Sequence, residues 1–274
     1  MRRLPEIFAV LSLGAALLLA QGVPPPSGIG PPGGPQQPKS AQASAPADFT
    51  GYFVSVVTED WRWRMVTPIK GDFASIPLNP EGRRVGNSWD PDKDTAAGEQ
   101  CKSYGAAAIM RVPGSVHISW SDENTLKIET DAGTQTRLFH FIGSGPGAMT
   151  KLSQSGEHTW QGYSVANWER PVRGSGAPGF GLGATREGAH GKALEVVTTQ
   201  LRAGYLRKNG PPYSENTVLR EYYDLHKERN GDTWFTVTTV VDDPKYLTEP
   251  FVTSTDFKKI PDGQGWSPSA CIAK

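Results

Sequence analysis

Net charge is the first thing this sequence lacks: 28 basic side chains balance 28 acidic ones over 274 residues. A nucleic-acid binder needs a basic excess to displace phosphate counterions, so that partner class is excluded. No tract is acidic enough for a calcium-loaded surface or a charged disordered tail. Beyond the N-terminus there is no run of about 18 apolar residues, so no membrane-spanning helix is expected in the body of the chain. The five histidines are scattered, with no HxH or HExxH, and no cysteine pair lies near them to complete a zinc set, so no metal site is expected. There is no GxSxG nucleophile elbow, and no glycine loop is followed by Lys-Ser or Lys-Thr. Neither a serine hydrolase nor a nucleotide-binding protein is expected, and no cofactor is implied.

What is present begins with Arg2 and Arg3, followed by an apolar run from Ile7 to Ala20 broken only by Ser12 and ending at Ala20-Gln21-Gly22. This is the layout of a secretory signal peptide, expected over residues 1–22. A run of about 14 residues at about 1.5 Å each covers only about two thirds of a roughly 30 Å hydrocarbon core, so no anchor is expected after cleavage. Residues 23–48 are Pro, Gly, Ser, Gln and Ala with few large apolar side chains, and read as a disordered linker. A single folded domain is expected from Phe49 to Lys274, in the periplasm or outside the cell. Export gives Cys101 and Cys271 an oxidising environment, and as the only thiols in the chain they are expected to pair, with two separate buried thiols as the alternative.

With 31 Gly, 23 Pro and eight Trp, the body reads as turn-rich and aromatic-cored rather than as a helical bundle. Short segments of period-2 alternation bounded by turn residues mark strands. Val116–Trp120 and Leu126–Glu129 flank Asp122-Glu123-Asn124 as one hairpin, and Val218–His226 and Trp234–Val241 flank Asn230-Gly231 as another. Further strands are expected at Gly51–Val57, Trp61–Thr67, Thr136–Ile142, Ala193–Leu201 and Phe251–Lys258. Eight or more strands predict an all-β fold, an antiparallel barrel or a sandwich. One or two short surface helices are expected, capped by Asn79 before Pro80 and by Asp94. Residues 173–191 are glycine-rich and read as a long loop.

Trp61-Arg62-Trp63-Arg64-Met65 alternates rings and cations. Arginines facing inward would form a bidentate site for a carboxylate or phosphate, and arginines facing solvent would be ordinary surface charge. His140, among apolar neighbours, is either a core histidine or a general base. Glu169 and Glu221 adjoin aromatic residues that raise a carboxyl pKa when they bury it, and either is a candidate acid or base or one half of a structural ion pair.

The C-terminal half, through Trp160-Gln161-Gly162-Tyr163-Ser164, Ala166-Asn167-Trp168-Glu169, Pro212-Tyr213-Ser214-Glu215, Arg220-Glu221-Tyr222 and Val237 to Pro244, resembles a large group of exported β-rich bacterial proteins of unknown function. The resemblance runs from about Pro77 to Lys259. It implies a secreted antiparallel barrel, lipocalin-like in general shape, and brings no catalytic set. This chain departs from the pattern with a glycine-rich insertion after Glu169 and with Arg220-Glu221 where Glu-Arg is usual.

Three functions remain open. One is a binding protein for a small apolar or amphipathic ligand, walled by Trp61, Trp63, Trp160, Trp168, Tyr205 and Tyr222 with Arg62 or Arg64 at a polar end. Another is a cofactor-independent isomerase, cyclase or hydrolase using Glu169, Glu221 or His140. The third is an envelope scaffold on a Pro-rich tether, whose protein partner the sequence does not name.

Overall fold

The computed structural model describes residues 40–142, 156–169 and 193–274. The N-terminal apolar run, the Pro-rich stretch up to residue 39 and the glycine-rich segment 173–191 lie outside the described residues. Nine strands close a barrel: β1 (Gly51–Val56), β2 (Ser115–Asp122), β3 (Thr125–Thr130), β4 (Gln135–Phe141), β5 (Tyr163–Trp168), β6 (Ala193–Thr199), β9 (Val218–Lys227), β10 (Thr233–Asp242) and β11 (Phe251–Ile260). Two short strands, β7 (Gly204–Tyr205) and β8 (Pro212–Tyr213), pair with each other outside the ring. The fold is therefore the expected all-β barrel, and both hairpins read from alternation are present.

A ring with an odd number of strands cannot alternate direction all the way round, so at least one neighbouring pair must be parallel. Here it is β4 with β5, in register Phe139↔Ser164 and Phe141↔Ala166. β5 ends on Trp168 of the Trp-Glu motif, and the sequence reading does not place a strand there.

Along each strand alternate side chains enter the barrel. On β9, Leu219, Glu221 and Tyr223 are buried while Arg220, Tyr222 and Asp224 point outward. Phe235 stacks on Phe257 at 4.6 Å and meets Phe53 edge-on at 4.9 Å; all three are fully buried. Each such ring contributes about 1.5–3 kcal/mol by leaving water.

The barrel end formed by the β2–β3 turn is closed by Phe49, Trp120, Phe141 and Trp168. Residues 40–48, assigned to the linker by composition, belong to this end. Ala41 is buried, its amide donates to Asn124 Oδ1 at 2.9 Å, and its carbonyl accepts from Trp168 Nε1 at 2.9 Å. Small residues gave no sign of burial, but their backbone supplies hydrogen bonds that a Trp and an Asn need.

The opposite end is covered by a cap built from residues 57–114, 200–217 and 243–250. It holds the short helices α1 (Trp61–Arg64), α2 (Pro80–Asn87), α3 (Pro91–Ala96) and α4 (Ala106–Ile109). Ile109 and Met110 plug the barrel core, and Phe73, Leu78, Leu206, Tyr213 and Leu247 form a second apolar cluster in the cap. Asn79 caps α2 as expected, accepting from Gly82 N at 2.8 Å. Asp94 is not a cap; Asp90 caps α3, and Asp94 lies inside that helix. Trp61–Thr67 is not a strand either. Every strand of the closed ring already has two partners, so the segment finds no free edge, and Asp60 turns it into one helical turn through its carbonyl, which accepts from Trp63 N and Arg64 N.

Cys101 and Cys271 are disulfide-bonded, with Cα atoms 5.1 Å apart, tying the C-terminus to the cap across 170 residues. No helix among the described residues is long and apolar enough to cross a membrane.

Candidate functional site

The apolar run Ala106 to Met110 is buried, and the residue that follows it, Arg111, is carried into the cap interior. α1 brings Arg64 to the same place: its Nε donates to the Arg111 carbonyl at 2.9 Å. The turn Arg207–Gly210 brings the third guanidinium. Gly210 has φ +94°, and a Cβ there would stand 2.3 Å from Trp89 Cβ, so only glycine closes this turn. Arg64, Arg111 and Arg207 are each at least nine-tenths buried, and all three line one cavity of about 100 Å3. Trp63, Met65, Val66, Ala108 and Leu206 supply its apolar walls, and Lys208 also lines it.

The charges around this cavity do not balance. Glu59 pairs with Arg64, and Asp60 Oδ2 accepts from Arg111 Nη2 at 2.7 Å. Arg207 has no ion-pair partner among the described residues; its Nη2 donates to the Ala74 carbonyl at 3.1 Å and its guanidinium lies 5.3 Å over the Trp63 ring. One buried nitrogen on each arginine, Arg64 Nη2, Arg111 Nη1 and Arg207 Nη1, has no hydrogen-bond partner among the described residues. Burial, reinforced by the neighbouring Arg111, pushes the Arg207 guanidinium down to about 10, and burial also lowers Arg64. Asp60 holds its place in the left-handed region at φ 50°, a strained conformation for a non-glycine residue. Unsatisfied buried cationic donors cost free energy, and an anion entering the cavity would meet three guanidinium groups in its wall.

Comparison with protein families, curated proteins and solved structures finds no match. The site is therefore argued from its own geometry.

Of the residues proposed from sequence, Trp63 and Arg64 line this cavity, and Trp61 and Arg62 stand exposed on the same helical turn. The others lie elsewhere. Trp160 stacks under Arg202 at 4.6 Å, and Tyr205 donates to Asp94 at 2.9 Å. Lys102 bridges Asp94 and Glu99, Arg202 also pairs with Glu99, and burial together with the Asp94 bond pushes the Tyr205 hydroxyl up to about 12. Trp168 closes the far barrel end, and Tyr222 lies on the outer wall. Glu169 follows β5, its amide donating to the Ala193 carbonyl at 3.0 Å. His140 is on the outer face, stacked on Tyr163 at 4.9 Å, and burial lowers its pKa.

Glu221 is fully buried inside the barrel. Arg137 grips both of its oxygens at 2.8 and 2.5 Å, and Tyr223 donates to it at 3.1 Å. Arg137 in turn donates to Thr198 Oγ1 at 3.3 Å, and Thr198 shares a hydrogen bond with Ser164 at 2.7 Å.

Sequence reasoning missed Arg111, Arg207 and Lys208. Arg111 carried a signal, a lone charge inside the apolar run Ala106 to Val112. Arg207 and Lys208 carried none, because a basic pair before Asn209-Gly210 reads as a solvated turn.

Proposed function

We propose that this is an exported protein that binds a small amphipathic anion, with the carboxylate or phosphate held by Arg64, Arg111 and Arg207. The carrying observation is that three largely buried arginines, each keeping one nitrogen without a partner among the described residues, line one cavity. Guanidinium forks match the oxygens of carboxylate and phosphate. The apolar walls, Met65, Val66 and Leu206, favour a ligand with a hydrocarbon part. The cap, rather than the barrel interior, is the binding place in this reading, because the barrel centre is occupied by Phe53, Phe235, Phe257 and the Arg137–Glu221 pair. The disulfide and the apolar run after Arg2 and Arg3 support export to the periplasm or beyond. The nine-strand barrel supports the resemblance to exported β-rich bacterial proteins.

Thermal denaturation with octyl phosphate, and with octyl glucoside as a neutral amphiphile of the same chain length, tests this. A ligand at about 100 times its Kd stabilises by about 2.7 kcal/mol, which raises Tm by several degrees in a domain of this size. The expected result is a concentration-dependent rise with octyl phosphate alone. A rise with both compounds or with neither would contradict the reading.

A further inference from the structure

We propose that the anion is presented by a membrane: the segment Trp61–Ile69 rests in the headgroup layer of an anionic phospholipid bilayer, and a lipid phosphate enters the three-arginine cavity. The inference rests on the reading of that cavity as an anion site and names where the anion comes from. Its first support is size. About 100 Å3 is well below the roughly 300–1,000 Å3 of pockets that enclose a whole small molecule, so a ligand with a long hydrocarbon part leaves some of it outside.

The second support is what stands outside. Seven large apolar side chains are exposed among the described residues, and four of them are Trp61, Met65, Val66 and Ile69, from 59 to 80% exposed. Met65 and Val66 also line the cavity, so the apolar surface is continuous with its mouth. An interfacial anchor combines these features, a Trp and aliphatic side chains flanked by cations.

The third support is that the segment is held in this posture. Asn209, fully buried, donates through Nδ2 to the Ile69 and Asp72 carbonyls at 3.1 and 2.8 Å, fixing the backbone while the Ile69 side chain stays 80% exposed. Single exposed apolar side chains are ordinary, but four of them within nine residues of a pinned segment mark an interaction surface.

Charge selects the occupant. Arg62, paired with Asp72 at 3.5 Å, and Lys70 are exposed beside the apolar side chains, and behind them lie the three buried arginines and Lys208, so the cations of this face outnumber its carboxylates Glu59, Asp60 and Asp72. The chain as a whole is neutral, so attraction to an anionic bilayer must come from this face rather than from bulk charge.

The test is co-sedimentation of the protein with vesicles of phosphatidylcholine alone and of phosphatidylcholine mixed with phosphatidylglycerol. The expected result is binding to the mixed vesicles only. The double variant Trp61→Ser/Ile69→Ser, altered at two exposed positions outside the cavity, is expected to lose about tenfold or more in vesicle affinity. Its affinity for octyl phosphate should fall by much less, because the phosphate contacts inside the cavity remain. Arg207→Met is expected to weaken binding to both. Vesicle binding that ignores phosphatidylglycerol, or that survives the double variant, would overturn the inference. Octyl phosphate binding without any vesicle binding would overturn it and leave the cavity reading standing; vesicle binding indifferent to Arg207→Met, with no octyl phosphate binding, would overturn both. A concentration-dependent dimer without lipid, abolished by Trp61→Ser/Ile69→Ser, would assign the surface to a second copy instead and overturn it.

Discussion

Arg137 reaches from β4 across the barrel to Glu221 on β9, and neither side chain touches solvent. Removing one partner leaves the other charge buried without compensation, which costs about 3–5 kcal/mol, whereas replacing both with apolar groups is often neutral. Glu221→Gln is therefore expected to destabilise by that amount in guanidinium unfolding. The double variant Glu221→Leu/Arg137→Met should recover most of it. An unchanged midpoint for Glu221→Gln would contradict the account of this pair as the polar keystone of the barrel. Similar reasoning applied to Arg207 gives the opposite sign. With no direct ion pair among the described residues, and with burial and Arg111 outweighing the more distant Asp60 and Asp72, it is buried at a cost, and Arg207→Met should leave the unliganded protein as stable as the wild type or more so.

At the scale of elements, α2 shows a local rule at work. The Asn79 carboxamide accepts from Gly82 N at 2.8 Å and donates to the Lys245 carbonyl at 2.9 Å, so one side chain both starts the helix and ties it to the β10–β11 connection. Asn79→Ala is expected to cost about 1–2 kcal/mol, read as a lowered midpoint in chemical denaturation, with Asn79→Ser intermediate. An unchanged midpoint would show that the cap contributes nothing. This element was legible in the sequence because capping chemistry is local, and so were both hairpins, where alternation and turn residues agree. The Asn230-Gly231 turn is realised with Gly231 alone at positive φ, in a loop between Lys227 and Thr233. Trp61–Thr67 reads as a strand because the five alternating residues Trp61 to Met65 do not distinguish a strand from a helical turn, and only the closed ring rules out the strand. β5 was missed because its parallel pairing with β4 depends on strand count, which no local pattern carries. Of the cavity lining, Trp63 and Arg64 were legible in the sequence; Arg207 and Lys208 were not, because their place in the cap is imposed by chain segments far away in sequence.

At the scale of the whole molecule, the disulfide holds the cap and the C-terminal tail to the barrel. Around it Ser269 N donates to the Asp131 carbonyl at 2.8 Å and Thr134 Oγ1 to the Ser269 carbonyl at 2.9 Å. Closing a loop of 170 residues is worth about 5 kcal/mol on the chain-entropy model. Reduction with dithiothreitol should lower the unfolding free energy toward that limit, and equal unfolding curves with and without reductant would contradict the role given to the bond. The central claim, however, concerns the cap cavity, and isothermal titration calorimetry of octyl phosphate into the wild type and into Arg207→Met tests it most directly. The account predicts one saturable site in the wild type, and in the variant, folded and no less stable, a loss of about tenfold or more. No heat of binding in the wild type, or equal affinity in the two proteins, would contradict it.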